Sequence, residues 1–136
     1  MTKNTKTKLF FCLLIGLFLA QFLFISPRGE FALNDDWVHS DTIKHWVETS
    51  SFRLMPYAGP TFYVPILYGA ALTKIFGFSF TLLRISTLII GAISILLFFL
   101  FLVKLTHRPT LSFIGALTLW LNPIFFNLSF TFMTDI

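Results

Sequence analysis

The chain has little charge and almost no sulfur chemistry. Only 12% of its 136 residues are charged, whereas soluble domains have about 25%. Its single cysteine, Cys12, excludes an internal disulfide and a metal site built from thiolates, and we interpret it as a small lipid-facing or packing residue. Internal repeats and a glycine-rich phosphate loop are also missing. Thiolate metalloproteins, repeat proteins and P-loop nucleotide-binding proteins are therefore excluded.

The chain is rich in apolar residues, since 56% of the residues are hydrophobic and 19 are Phe. Three apolar runs are long enough for a transmembrane helix, which needs about 20 residues: 9–25, 81–103 and 111–131. The first run follows three lysines, as in a signal peptide, but its length and the lack of a small-x-small cleavage site favour a retained span. Within the third run, Asn122-Pro123 is expected to kink the helix.

A fourth apolar run, residues 62–76, is short and contains Pro65. Basic loops stay cytoplasmic. The N-terminal lysines and the basic segment 104–108 lie on the same side only if residues 62–76 do not cross. We therefore predict a helix in the membrane interface here. The N-terminus is then cytoplasmic, and residues 26–80 form an external loop at the plasma (inner) membrane.

The stretch "NDDWVHSDTIKHWVETS", residues 34–50, predicts an amphipathic helix in that external loop. Asn34 or Asp35 can cap its start, and Asp36 suits the positive end of the helix dipole. One side of this helix carries Ile43, Trp46 and Val47 together with Asp36 and His39, and the other carries Asp41, Lys44, His45 and Glu48. The predicted fold class is thus an all-α multi-pass membrane protein, with three transmembrane helices and two interfacial amphipathic helices in the first external loop.

The adjacent carboxylates Asp35 and Asp36 allow three interpretations. They can simply cap the helix. They can contribute to a metal site, because Asp35–His39, like Asp41–His45, has the four-residue spacing of two ligands on one helix face. No third ligand is evident, so His39 is not expected to be an obligatory ligand, and a divalent metal stays open as a cofactor. They can also act in acid–base catalysis, because neighbouring carboxylates raise one pKa towards a value that suits a base.

The order of motifs resembles the N-terminal part of the GT-C class of membrane glycosyltransferases, such as the protein O-mannosyltransferases and the lipid A aminoarabinose transferase. The resemblance covers residues 1–136. It is carried by an acidic pair just after the first span, by "KHWVETSSFRL", by "ILYGAALTKIFGFSFTLLRISTLIIGAIS" and by "LNPIFFNLSFTFMTDI". Members of this class have more spans and usually a further soluble domain, so the chain is expected to be an N-terminal fragment that is inactive alone.

This resemblance implies a polyprenyl-phosphate-linked sugar donor and an acceptor lipid, glycan or protein, at the external face of a lipid bilayer and without nucleic acid. Asp35 matches the position of the base that deprotonates the acceptor hydroxyl, and Asp36 matches its acidic neighbour. Asp135 matches an acid of the second external loop, and His39 stands where many members have an aromatic hydroxyl; the resemblance makes both candidates for substrate binding. For Arg53 and Arg84, phosphate binding and a structural role both stay open.

The alternative function is that of a small, non-enzymatic membrane protein with three spans, which serves as an anchor or assembly subunit. A hydrophobic reading frame that continues beyond Ile136 would favour the glycosyltransferase over this alternative.

Overall fold

The computed structural model describes residues 2–33, 36–56 and 63–132, and these ranges contain six helices and no strand. The helices are α1 (Lys3–Gln21), α2 (Asp36–Thr49), α3 (Tyr63–Phe76), α4 (Phe80–Thr106), α5 (Pro109–Trp120) and α6 (Pro123–Ser129). The expectation of an all-α chain is confirmed for these residues. The chain divides into two compact units, which are Met1–Ser26 with Leu88–Phe126, and Pro27–Thr87 with Asn127–Ile136.

The first unit is held together by an apolar core between α1, the later part of α4, and α5. Its buried members are Leu14, Ile95, Phe99, Ala116 and Trp120. Aromatic rings extend this core, since Phe10 stacks on Phe113 with 4.7 Å between ring centroids. Such pairs add about 0.5–1.5 kcal/mol to the stabilisation from buried area.

A tight turn joins α4 to α5 in the same unit. His107 has a positive φ of 57°, which ends α4, and Arg108 is extended, as the residue before a proline prefers to be. Pro109 then starts α5 at the helix position that needs no amide hydrogen. The hydroxyls of Thr106 and Ser112 lie 3.1 Å apart across the turn. This turn contains most of the second basic cluster of the sequence.

The third predicted span is interrupted rather than continuous. α5 and α6 meet at an angle of 66°, at the Asn122-Pro123 pair where the sequence predicts a kink. The Asn122 side chain accepts hydrogen bonds from the amides of Ile124 and Phe125, at 2.9 and 3.3 Å, and so caps α6. The break therefore follows from a proline that cannot continue a helix and an asparagine that starts a new one.

The second unit is built on α2 packed against α3. The buried residues of α3 are Ile66, Gly69, Ala70 and Thr73, which form one stripe along the helix. Ile43 of α2 and Leu83 of α4 complete this core. The predicted amphipathic face of α2 is therefore present, and Ile43 on that face packs on α3.

One helix of the described residues, α4, is long and apolar enough to cross a membrane by length and composition. The bent pair α5–α6 makes a second if it is counted as one broken span. α1 does not meet the criterion, because it begins among the lysines and ends at Gln21, short of the predicted boundary at residue 25. α3 has 14 residues, too few to cross, as the sequence predicts.

Candidate active site

The candidate site begins with the segment just before α2, which is bound to the first turn of α4. Glu30 accepts hydrogen bonds from the Ser79 hydroxyl at 2.7 Å and from the amides of Phe80 and Thr81 at 2.9 and 3.3 Å. Ser79 itself caps α4, since its Oγ accepts the Leu82 amide at 3.2 Å. The Ser79 hydroxyl, together with donors of Phe80 and Thr81, lowers the pKa of Glu30 below its usual value. A carboxylate at this helix end is also favoured by the helix dipole.

Arg84 lies one turn further along α4 and binds the same segment. Its Nη1 donates to the Gly29 carbonyl at 2.9 Å, and its Nη2 donates to the Phe31 carbonyl. The guanidinium also lies over the ring of Phe31, with 5.2 Å between its carbon and the centroid, and within 5.8 Å of the Phe80 ring. The side chain is only 1% exposed. Such a buried cation is tolerated because carbonyl oxygens, aromatic faces and a carboxylate surround it.

That carboxylate belongs to Asp36, the first residue of α2. Its Oδ2 lies 3.6 Å from Arg84 Nε, and its Oδ1 accepts the Leu33 amide at 2.7 Å. This bond joins the first residue of α2 to the segment that precedes the helix. Asp36 is fully buried. Burial raises the pKa of Asp36 above its usual value, against the opposing effects of the Leu33 amide and the Arg84 guanidinium.

Together these contacts fix the residues around the acidic pair. Glu30, Arg84 and Asp36 join the segment 29–33, the start of α2 and the start of α4 into one polar cluster, which we call the Arg84 cluster. Both oxygens of Asp36 face groups of the protein. The arrangement can hold the start of α2 in place, and it leaves Asp36 poorly suited to receive a proton from an external hydroxyl.

Only some of the predicted site residues belong to the Arg84 cluster. Asp36 and Arg84 are brought together, although Arg84 points to backbone and carboxylate oxygens of the chain itself. His39 is buried in α2, at 5% exposure, and Arg53 is exposed in the segment after α2. Asp35 and Asp135 lie outside the described residues.

No group of three or more His, Cys, Asp or Glu side chains within the described residues could hold a metal ion. Of the two predicted ligand spacings, Asp41–His45 lies on the half-buried side of α2. The other includes Asp35 and so falls outside those residues. A metal site that uses Asp35 stays a prediction.

The sequence does not single out Glu30, which nevertheless caps a helix that begins 50 residues later. No local pattern signals a contact of that range. The other half of the contact was readable, because Ser79 stands where a helix cap is expected after "FGF" and before a long apolar run.

Comparisons of the chain with protein-family models, with curated proteins and with solved structures gave no significant match.

Proposed function

We propose that the chain forms the acidic part of a glycosyltransferase site of the GT-C type, at the external face of a membrane. In this proposal a sugar passes from a polyprenyl-phosphate donor to an acceptor hydroxyl, with Asp35 as the base and Asp36 as a positioning residue. The observation that supports it is that the Asp36 carboxylate contacts groups of the protein itself, namely the Leu33 amide and Arg84. We therefore assign the positioning role to Asp36 and the role of the base to Asp35, whose position matches that of the base in the class that the chain resembles.

Exposed apolar side chains support the membrane part of the proposal. On α4, Leu97 is 61% and Leu105 65% exposed, and Ile114 of α5 is 54% exposed. Large apolar side chains at this exposure are costly in water and favourable against lipid. We therefore propose that α4 crosses the bilayer and that α1 and the broken pair α5–α6 do so as well, with the N-terminus cytoplasmic.

The chemistry needs a base and a cation. Asp35 takes the proton of the acceptor hydroxyl while that oxygen attacks the anomeric carbon, and the bond from this carbon to the phosphate oxygen breaks with inversion. The electron pair leaves with the polyprenyl phosphate, whose charge a cation stabilises. Two nitrogens of Arg84 already donate to the Gly29 and Phe31 carbonyls, so Arg53, which is exposed, is the better of the two predicted phosphate-binding arginines.

The test introduces Asp35→Asn and Asp36→Asn at the gene's own locus, so that any further part of the protein stays present. Membranes are supplied in turn with labelled polyprenyl-phosphate mannose, glucose and aminoarabinose, and label in the acceptor fraction is counted. Asp35→Asn keeps the capping ability of the side chain and should slow transfer about 10²–10⁴-fold, the usual contribution of a general base. Asp36→Asn should slow it less at equal protein level.

Near-normal transfer with Asp35→Asn, at matched protein level, would refute the assignment of Asp35 as the base. Absence of transfer from all three donors by the unsubstituted membranes would favour the anchor or assembly protein instead. Arg53→Gln serves as a third variant. It should raise the KM for the donor if Arg53 binds the phosphate.

A further inference from the structure

A second polar surface lies in the first unit. The start of α1 and the turn between α4 and α5 together line a cavity of about 590 Å³. Four of its lining residues are Lys3, Lys6, His107 and Arg108, and its apolar side includes Leu111 and Ile114. We call this cavity the basic groove. It takes part in none of the chemistry proposed above.

The two sides of the basic groove are held together by side chains that are distant in sequence. Lys3 Nζ lies 3.3 Å from His107 Nδ1, across a separation of 104 residues. The position of Arg108 is fixed, because its amide donates to Thr106 Oγ1 at 3.2 Å and its carbonyl accepts the Ser112 hydroxyl at 3.0 Å. Its carbonyl also accepts the Ser112 amide at 3.0 Å. The basic side chains therefore converge on a defined turn.

No carboxylate of this unit can neutralise these cations. Residues 1–26 and 88–126 contain five lysines and arginines and not one Asp or Glu, because all six acids of the chain lie elsewhere in the sequence. Lys3, Lys6 and Arg108 are exposed. A cavity lined by three such cations attracts an anion, and the planar guanidinium of Arg108 is suited to two phosphate oxygens at once.

The apolar side of the basic groove favours a lipid over a soluble anion as its ligand. Leu111 is 52% and Ile114 54% exposed beside the cations. A free phosphate would contact only the cations, whereas a phospholipid would contact the cations with its headgroup and these apolar side chains with an acyl chain. We propose that the basic groove binds one anionic diacyl phospholipid, with its phosphate between Lys6 and Arg108 and an acyl chain along Leu111 and Ile114.

The chain offers a matched pair of double variants. Lys6→Gln with Arg108→Gln removes one charge from each side of the basic groove. Lys8→Gln with Lys104→Gln removes one charge from each of the same two sequence clusters, but neither of these exposed residues is among the groove's lining residues. Both variants keep the same net charge and the same distribution of charge between the N-terminus and the α4–α5 region. A difference between them is therefore due to the groove and not to the general field.

The measurement is native mass spectrometry of the purified full chain, released from detergent that contains equal amounts of phosphatidylglycerol and phosphatidylcholine. The unsubstituted chain should retain one phosphatidylglycerol in preference to phosphatidylcholine. The groove variant should lose about 25-fold in phosphatidylglycerol affinity, since each basic side chain near an anionic lipid contributes about fivefold. The control variant should lose less than about threefold.

Equal losses in the two variants would overturn the proposal, because a diffuse surface charge would then explain the binding. Displacement of the lipid by inorganic phosphate at millimolar concentration would also overturn it, since the site would then recognise the phosphate alone. Leu111→Ser with Ile114→Ser should weaken phosphatidylglycerol retention without changing the charge, and unchanged retention there would count against the acyl contact. None of these outcomes depends on sugar transfer.

Discussion

Loss of the Arg84 guanidinium should destabilise the second unit more than any other single change to a polar side chain there. Arg84→Gln removes the ion pair with Asp36 and the donors to the Gly29 and Phe31 carbonyls. Removing one partner of a buried ion pair costs about 3–5 kcal/mol, because the remaining charge stays buried without compensation. Since Arg84 is 1% exposed, solvent screening does not reduce this figure appreciably.

A double-mutant cycle with Asp36→Asn separates the ion pair from the carbonyl contacts. In the Asp36→Asn background, Arg84→Gln loses its bonds to the two carbonyls and its contacts with the Phe31 and Phe80 rings, but no ion pair. The difference between the two backgrounds should be about 1–2 kcal/mol, within the range for residues in contact. The assay is unfolding of the full chain in detergent micelles by increasing sodium dodecyl sulfate, followed by tryptophan fluorescence.

The pH dependence gives a second readout of the same pair. The pKa of Asp36 is raised on folding, so the folded state binds more protons than the unfolded state. The stability that this group contributes is therefore largest below its unfolded pKa of about 3.9, and it is lost as the pH rises through the folded pKa. Arg84→Gln removes one of the effects that lower this pKa. The difference in unfolding free energy between the variant and the unsubstituted chain should therefore be smallest near pH 4 and largest near pH 8. A cost below about 1 kcal/mol at both pH values, without coupling to Asp36, would refute the reasoning.

Three further predictions concern other parts of the chain. Gly69→Ala should cost about 1–3 kcal/mol, because the new methyl group would clash with the Ile43 side chain and would lie 2.9 Å from the Phe132 ring. Gly16→Ala has open space and should be neutral or stabilising by about 1 kcal/mol; equal effects in the same unfolding assay would contradict this. Glu30→Gln should remove a contribution to stability that is present above about pH 4.3 and is lost as the pH falls through the lowered pKa; a pH profile of stability identical to that of the unsubstituted chain would contradict this. In a Cys12→Ser background, Glu48→Cys should react with a membrane-impermeant maleimide from the external side of cells, and reaction from the cytoplasmic side alone would refute the topology.

The helices were largely readable from the sequence because hydrophobic length and proline positions determine them. α4 extends the predicted run 81–103 by one residue at its start and three at its end, and α3 begins one residue after its predicted start. The break before α6 falls at Asn122-Pro123, where local chemistry alone stops a helix. The end of α1 differs from the predicted boundary, because the apolar run continues to residue 25 whereas the helix ends at Gln21.

The polar cluster was much less readable, because its contacts join residues about 50 positions apart. The sequence placed Asp36 on the apolar side of α2, where a carboxylate needs a partner, but it could not name Arg84 as that partner. For Arg84 the sequence leaves open phosphate binding and a structural role. The structure shows a structural arrangement, in which the guanidinium is shared between backbone carbonyls and a carboxylate. Such sharing depends on how a loop folds back, and local periodicity carries no information on that.

The geometry of the Arg84 contacts also limits which residues can occupy this position. Arginine presents its donors in one rigid plane, and here separate nitrogens face the Gly29 carbonyl, the Phe31 carbonyl and the Asp36 carboxylate. A lysine would bring the same charge on a single nitrogen at the end of a flexible stem, so it could satisfy one or two of these oxygens but not all three from their present places. The position therefore requires the planar shape of the arginine side chain as well as its positive charge. An exchange for lysine, which keeps the charge, is not neutral here.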